Sequence, residues 1–160
     1  MENLLIKVYK KRGLTRALSL TSHIISVIFV LAFLFCVSVM IYAEAYRVAL
    51  LFTSSSLAGY LLVSATREVL DAPRPYEIYD FFEILPKKKK GKSFPSRHAY
   101  SAFVITTISF AVGTLIGIAL TVLALIMCVC RALVGIHFVR DLVAGAALGI
   151  ISGSVALLLI

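Results

Sequence analysis

Six side chains, gathered in three short polar stretches of an otherwise apolar sequence, have the chemistry to bind a phosphate and attack it. Guanidinium groups stay charged at ordinary pH and can hold two phosphate oxygens at once. Imidazole can attack phosphorus or transfer a proton, and a carboxylate can hold an imidazole in one orientation. The six are Arg67, Arg74, Arg131, His98, His137 and Asp141. Each alone has an ordinary explanation as an interfacial or packed residue, but together they predict a phosphoryl-transfer site.

The last polar stretch predicts the nucleophile. If the final helix begins at about Ile136, His137 and Asp141 lie four residues apart on one helical face. The carboxylate can then bind one imidazole nitrogen and fix the tautomer, which leaves the other nitrogen free to attack. We therefore expect His137 to be the nucleophile and Asp141 to orient it.

The middle stretch predicts the acid. His98 follows Pro95-Ser96-Arg97 at the expected start of a helix, where unpaired backbone N–H groups favour an anion. Proton transfer by such a group contributes about 10²- to 10⁴-fold in rate, far less than the ~10²¹-fold that phosphate-monoester hydrolysis can require. The three arginines are the available source of charge stabilisation for much of the remainder.

The composition decides where this site must be built. The chain has 160 residues, is 61% apolar and has a mean hydropathy of +1.00, which indicates an integral membrane protein. Apolar runs at residues 20–42, 48–66 and 142–160 can each cross a bilayer core of roughly 30 Å. Residues 94–133 would form a helix of about 60 Å, so we expect two helices with a turn at Gly113 and Gly117.

These elements predict an all-α fold, a polytopic membrane helical bundle of about five transmembrane helices in a single domain spanning residues 1–160. The expected breaks put all three polar stretches on the same membrane face. Charges scattered in depth would each cost at least about 2.5 to 3.5 kcal/mol. The pattern therefore predicts a solvated pocket at one rim of the bundle.

Two basic segments flank this core. Residues 1–19 form a basic N-terminal flank, which is either a surface-lying amphipathic segment or an ordinary flank of the first helix. Five lysines in residues 87–92 either form a solvated loop that sets topology or attract anionic lipid headgroups. The charge of +8 does not indicate nucleic acid, because nothing supplies a recognition fold or a stacking platform.

The order and spacing of the three stretches resemble the type 2 phosphatidic acid phosphatase family, which shares its core with vanadium haloperoxidases. The family pattern has a basic residue, six residues and Arg-Pro; then Pro-Ser-Gly-His; then Ser-Arg, five residues, His, three residues and Asp. The matching residues lie between positions 67 and 141, about half of the chain. They are Arg67 and Arg74-Pro75, then Pro95 to His98, then Cys130-Arg131, His137 and Asp141.

The resemblance implies a metal-independent membrane lipid phosphatase with no cofactor. It implies that His137 forms a phosphohistidine, that Asp141 orients it and that His98 protonates the departing oxygen. The phosphate would be bound by Arg67, Arg74 and Arg131, assisted by Ser96 and the backbone of Arg97. The substrates implied are phosphatidic acid, phosphatidylglycerol phosphate and polyprenyl diphosphates such as undecaprenyl diphosphate.

Three departures from the family pattern leave alternatives open. Arg67 stands where the family often has Lys, Arg97 replaces a glycine and Cys130 replaces a serine. The alternatives are a lipid phosphotransferase that uses the same intermediate and a catalytically inactive membrane scaffold or lipid-binding protein. A haloperoxidase and a transporter are less favoured, since the former's relatives are soluble and no mid-membrane charge marks an ion path.

The resemblance and the charge distribution disagree about sidedness. Bacterial relatives generally place the site outward, whereas most Lys and Arg residues lie on the site's face, which the positive-inside rule makes cytoplasmic. The sequence therefore predicts a multi-pass protein of the cell membrane without assigning the site to one side. It does not determine the lipid, the oligomeric state or the pathway.

Overall fold

The structure, a computed structural model, describes residues 12–79 and 90–159, and it describes Arg12 by its backbone alone. The predictions for residues 1–11 and 87–89 lie outside the described residues. The described parts of the chain contain helices and no strand, which confirms the all-α prediction. The helices are α1 (Arg12–Tyr42), α2 (Tyr46–Leu70), α3 (Pro75–Ile78), α4 (Arg97–Val112), α5 (Thr114–Leu133) and α6 (Val139–Leu158).

Four stretches of the described chain are long and apolar enough to cross a membrane: Gly13–Tyr42, Tyr46–Ile78, Thr114–Leu133 and Val139–Leu158. The remaining long helix, α4, has 16 residues and therefore measures about 24 Å, less than a bilayer core of roughly 30 Å. It packs against α1, α2, α5 and α6. The predicted fifth span is thus a short helix enclosed by the other four.

The turn between α4 and α5 is at Gly113, as predicted. Gly117, expected to share that turn, lies instead within the first turn of α5. A Cβ atom at Gly117 would lie 2.6 Å from the ring of Phe110, so this position is needed for close packing between the two helices. The prediction for Gly117 was wrong because a packing glycine and a turn glycine have the same sequence signal.

Three glycines spaced four residues apart on α6 allow it to approach α4 closely. A Cβ atom at Gly149 would lie 2.5 Å from the carbonyl oxygen of Tyr100, and one at Gly153 would lie 2.7 Å from Thr107. At Gly145, a Cβ atom would overlap the carbonyl oxygen of Ser96. Small residues of this kind bring membrane helices together. Here they hold the start of α4 against the start of α6, where the polar stretches lie.

The start of α6 differs from the expectation. The helix begins at Val139, and His137 lies before it in a bend. His137 and Asp141 therefore do not share a helical face, although their spacing predicted that they would. The reason is local: Phe138 is extended, with ψ at 155°, and its N–H donates to the Asp141 carboxylate at 3.0 Å, which starts the helix there.

Candidate active site

The three polar stretches meet at one end of the bundle, where α2 and α5 end and α4 and α6 begin. The last turn of α2 carries Arg67, and the last turn of α5 carries Arg131. The loop ahead of α4 reaches α6 directly, because the N–H of Ser96 donates to the carbonyl oxygen of Asp141 at 2.9 Å. The fold thus brings together side chains that are up to 74 positions apart in the sequence, from position 67 to position 141.

His137 and Asp141 are buried beside each other, with 3% and 0% of their side chains exposed. The His137 Nδ1 atom lies 3.6 Å from Asp141 Oδ2, which is longer than an ordinary hydrogen bond. The predicted direct hydrogen bond between them is therefore absent. Their placement nevertheless keeps the carboxylate's charge next to Nδ1 of the ring.

Ser93 fills the gap between these two residues. Its hydroxyl donates to Asp141 Oδ2 at 2.5 Å and lies 3.3 Å from His137 Nδ1, and the residue is fully buried. We call these three residues the Ser93–His137–Asp141 cluster. Ser93 was not among the predicted site residues, because its only sequence signal is its position two residues ahead of Pro95. No spacing rule predicts that a loop serine will contact a helix start 48 positions away.

The three arginines are also buried, and backbone carbonyls hold two of them. Nη1 of Arg67 donates to the carbonyls of Ser93 and Pro95 at 3.0 and 2.6 Å. Arg74 donates from Nε to the carbonyl of Gly91 at 3.0 Å. A guanidinium has five N–H donors, so these contacts leave donors available for a phosphate.

Arg131 is held differently. One of its terminal nitrogens, Nη2, donates to the hydroxyl of Ser26 on α1 at 3.2 Å. Its buried Nε has no hydrogen-bond partner among the residues that the structure describes. Cys130, which stands where the family pattern has serine, is buried next to it. A buried donor without a partner is costly.

His98 lies at the first turn of α4 and, unlike His137, is exposed to a cavity. Desolvation by the surrounding protein, followed by the charges of Arg131, His137, Arg97 and Arg67, lowers the pKa of His98 to about 3. Burial likewise lowers the pKa of His137 to about 4, although Asp141 opposes this shift. Both imidazoles are therefore neutral at pH 7 when no anion is bound.

Ser96 and Arg97, the predicted assisting residues, lie at the start of α4. The hydroxyl of Ser96 accepts a hydrogen bond from the N–H of Ala99 at 3.4 Å and so caps the helix. Arg97 is half-buried, and its guanidinium carbon lies 5.8 Å from the centroid of the Tyr60 ring. Their part in phosphate binding stays a prediction.

Two cavities adjoin these residues. The apolar groove, about 220 Å³, lies beside His98 between α1, α2, α4 and α5. Its lining includes Phe29, Val30, Tyr60, Ile105 and Met127. The cationic cavity, about 310 Å³, is lined within the described parts of the chain by five basic residues and one acidic residue, together with Ser64 and Gly91. The charged residues are Arg67, Arg74, Lys90, Lys92 and Arg97, with Glu68.

Within residues 12–79 and 90–159, no group of three or more His, Cys, Asp and Glu side chains is placed to hold a metal ion. Metal independence of the reaction stays a prediction.

Comparisons with known proteins agree with this architecture. The structure is similar to the crystal structure of a transmembrane PAP2-type phosphatidylglycerolphosphate phosphatase from Bacillus subtilis. That match has a TM-score of 0.73 and 19% identity, over 99% of this chain and 85% of the other. It is also similar to the crystal structure of Aquifex aeolicus LpxE, with a TM-score of 0.71 and 23% identity, over 97% of this chain and 93% of the other. At these identities the likeness shows the fold.

A comparison with curated protein sequences finds no match. The four apolar helices and the membrane-protein neighbours confirm a multi-pass membrane protein. The sequence itself matches the PAP2 superfamily over residues 47–160, which include every predicted site residue. The chain therefore belongs to the PAP2 superfamily.

Proposed function

We propose that this protein is an integral membrane phosphatase that releases phosphate from a phosphorylated lipid through a phosphohistidine on His137. The observation that carries the proposal is the buried Ser93–His137–Asp141 cluster beside three buried arginines. Buried charged and titratable groups are costly in a membrane protein, and such groups usually mark function. The proposal takes residues 1–160 as a single domain.

The nucleophile in this proposal is the neutral imidazole of His137. Because Nδ1 faces Ser93 and Asp141, the other ring nitrogen, Nε2, is left to attack phosphorus. The pKa of about 4 keeps His137 unprotonated at neutral pH, so its lone pair is available. As the ring becomes a phosphorylated imidazolium, the Asp141 carboxylate stabilises the developing positive charge.

The three arginines hold the phosphoryl group and stabilise the charge that develops on its oxygens. Carbonyl contacts fix the guanidinium groups of Arg67 and Arg74 before the substrate arrives. Preorganised donors of this kind need no rearrangement during the reaction, which is why they act more strongly than water. No step of the proposal requires a metal ion or a cofactor.

His98 protonates the leaving oxygen in this scheme. Arginine charges contribute to its low pKa, so a phosphate dianion that offsets them favours the protonated imidazole. Binding of substrate would thus charge the acid at the moment it is needed. In the second step neutral His98 accepts a proton from the water that hydrolyses the phosphohistidine.

The apolar groove beside His98 supports a lipid substrate. A leaving oxygen at His98 is attached to the part of the substrate that extends into the groove, whose lining is mostly aliphatic and aromatic. The candidates are phosphatidic acid, phosphatidylglycerol phosphate and polyprenyl diphosphates such as undecaprenyl diphosphate. Phosphatidylglycerol phosphate has the further support that the Bacillus subtilis neighbour is a phosphatidylglycerolphosphate phosphatase.

The test is phosphate release by the purified protein from these three lipids in the presence of EDTA, compared with a His137→Ala variant. We expect release that resists EDTA and falls by at least about 10⁴-fold in the variant, because the covalent step is lost. Release that persists in His137→Ala would overturn the nucleophile. If the intact protein releases no phosphate, a phosphotransferase or an inactive scaffold is favoured. Detection of a phosphorylated acceptor would then identify the phosphotransferase.

A further inference from the structure

Arg97 is the residue at which this chain departs most from the family pattern, since a glycine usually stands there. It is the first residue of α4 and packs against the face of Tyr60, with its guanidinium carbon 5.8 Å from the ring centroid. Among residues 12–79 and 90–159 it has no hydrogen bond or ion pair. The aromatic contact holds the side chain and leaves its N–H donors for a ligand.

Arg97 lines both the apolar groove and the cationic cavity. It lies close enough to Arg67 and His98 for their charges to interact. An amphiphile whose tail lies in the groove and whose terminal phosphate reaches Arg67 and Arg74 must therefore pass Arg97. The residue is placed to contact whatever connects the tail to the reacting phosphate.

The cationic cavity has more positive charge than one phosphate requires. Among the described residues that line it, the one acidic residue, Glu68, is already paired with Lys92. Arg67 and Arg74 use some of their donors on backbone carbonyls. At about 310 Å³, the cavity is larger than the apolar groove, which has about 220 Å³. There is both space and charge for a second anionic group.

We propose that Arg97 forms a second phosphate subsite and that the preferred substrate is a lipid diphosphate. This inference rests on the phosphatase function proposed above and narrows its substrate class. The terminal phosphoryl group lies among Arg67, Arg74 and Arg131, and the inner phosphate binds Arg97. The tail extends from the inner phosphate into the apolar groove.

The reaction balances as a diphosphate hydrolysis. Nε2 of His137 attacks the terminal phosphorus while the bond from that phosphorus to the bridging oxygen breaks. The bridging oxygen keeps the electron pair, takes the proton from His98 and leaves as part of the lipid monophosphate. Water then attacks the phosphohistidine and gives its proton to His98, so the products are lipid monophosphate and orthophosphate. Arg97 stabilises the charge that accumulates on the departing inner phosphate.

The experiment compares kcat/KM for farnesyl diphosphate and farnesyl monophosphate, which share one tail, in the intact protein and three variants. We expect the intact protein to prefer the diphosphate. Arg97→Ala should lower the diphosphate-to-monophosphate ratio by about 10- to 100-fold, the usual effect of losing hydrogen bonds to a charged group. Arg97→Lys should restore part of it. Arg47→Ala, which removes an exposed arginine at the other end of α2, should leave the ratio unchanged.

The outcomes separate this inference from the proposed function. Release from the monophosphate with no preference for the diphosphate, or a ratio that Arg97→Ala does not change, would overturn the second subsite and leave the phosphatase intact. Release from neither compound, together with none from the three lipids named above, would overturn the phosphatase. In that case the second subsite is tested by calorimetric measurement of ligand binding to the His137→Ala protein. Pyrophosphate should bind more tightly than orthophosphate. Equal binding, or a difference that survives Arg97→Ala, would overturn it there as well.

Discussion

The two histidines of the site have opposite surroundings. His137 is buried and lies within 3.6 Å of both the Ser93 hydroxyl and the Asp141 carboxylate, in a bend that helix α6 and the α4 loop hold from two sides. His98 begins a helix, is exposed to a cavity and borders an apolar groove. A nucleophile must meet phosphorus in one orientation, whereas an acid must follow leaving groups of different shape. In the proposed mechanism, the fold therefore holds the attacking imidazole rigidly and leaves the proton-donating imidazole adaptable.

The largest effect is expected from removal of the Asp141 charge, which orients His137 in the proposed mechanism. We expect Asp141→Asn to lower kcat by about 10⁴-fold, since an amide in place of the carboxylate favours the wrong tautomer, as it does in serine protease triads. The measurement is single-turnover phosphate release. Asp71→Asn makes the same change at an exposed residue outside the cluster and should retain activity. If both variants behave alike, Asp141 does not orient the nucleophile.

Removal of the acid should cost less and depend on the substrate. We expect His98→Ala to lower kcat by about 10²- to 10⁴-fold for a lipid alcohol leaving group. For p-nitrophenyl phosphate the loss should be much smaller, because that leaving group departs without a proton. His23→Ala, which removes an exposed histidine of α1, serves as the control. Equal losses for both leaving groups would exclude His98 as the acid.

The Ser93→Ala variant tests how much of the rigid placement of His137 comes from the hydroxyl between His137 and Asp141. We expect Ser93→Ala to lower kcat by about 10- to 100-fold, the usual worth of a hydrogen bond to a charged group, with KM unchanged. Ser109→Ala removes an equally buried hydroxyl from the last turn of α4 and should leave kcat unchanged. A raised KM with normal kcat would mean that Ser93 shapes the binding site and does not position His137.

The smallest effect is on stability. Unfolded imidazoles take up protons near pH 6.5, whereas the pKa of His137 is about 4 and that of His98 about 3 in the fold. The unfolded state therefore binds more protons between these values, and stability should fall as the pH falls from about 6.5 to 4. Unfolding temperatures in detergent across this range measure the slope.

The same measurement compares the two rings. His137→Gln should flatten the slope more than His98→Gln, because solvent in the cavity offsets part of the desolvation of the exposed ring. His23→Gln is the control for loss of a histidine elsewhere. A slope that depends on His98 more than on His137 would contradict the difference in burial described above.

The sequence was enough to predict the fold class, the membrane location, the family and the clustering of the two site histidines, Asp141 and the three arginines, but not Ser93. Apolar runs of bilayer length require spanning helices, and imidazole, carboxylate and guanidinium groups have so few other uses in such a chain that their spacing predicts a site. The division into α4 and α5 followed from length, since residues 94–133 are too long for one span, and the glycines predicted where the turn lies.

Only the tertiary structure decided how these residues meet. It showed that α4 is enclosed by other helices, that Gly117 packs against Phe110, and that α6 begins after His137. It also placed Ser93 between His137 and Asp141, and Arg97 between the two cavities. Contacts between a loop and a helix start 48 positions away depend on how closely α4 and α6 pack. Glycines 145, 149 and 153 set that distance, and their spacing marks a face for close packing without naming the helix that packs against it.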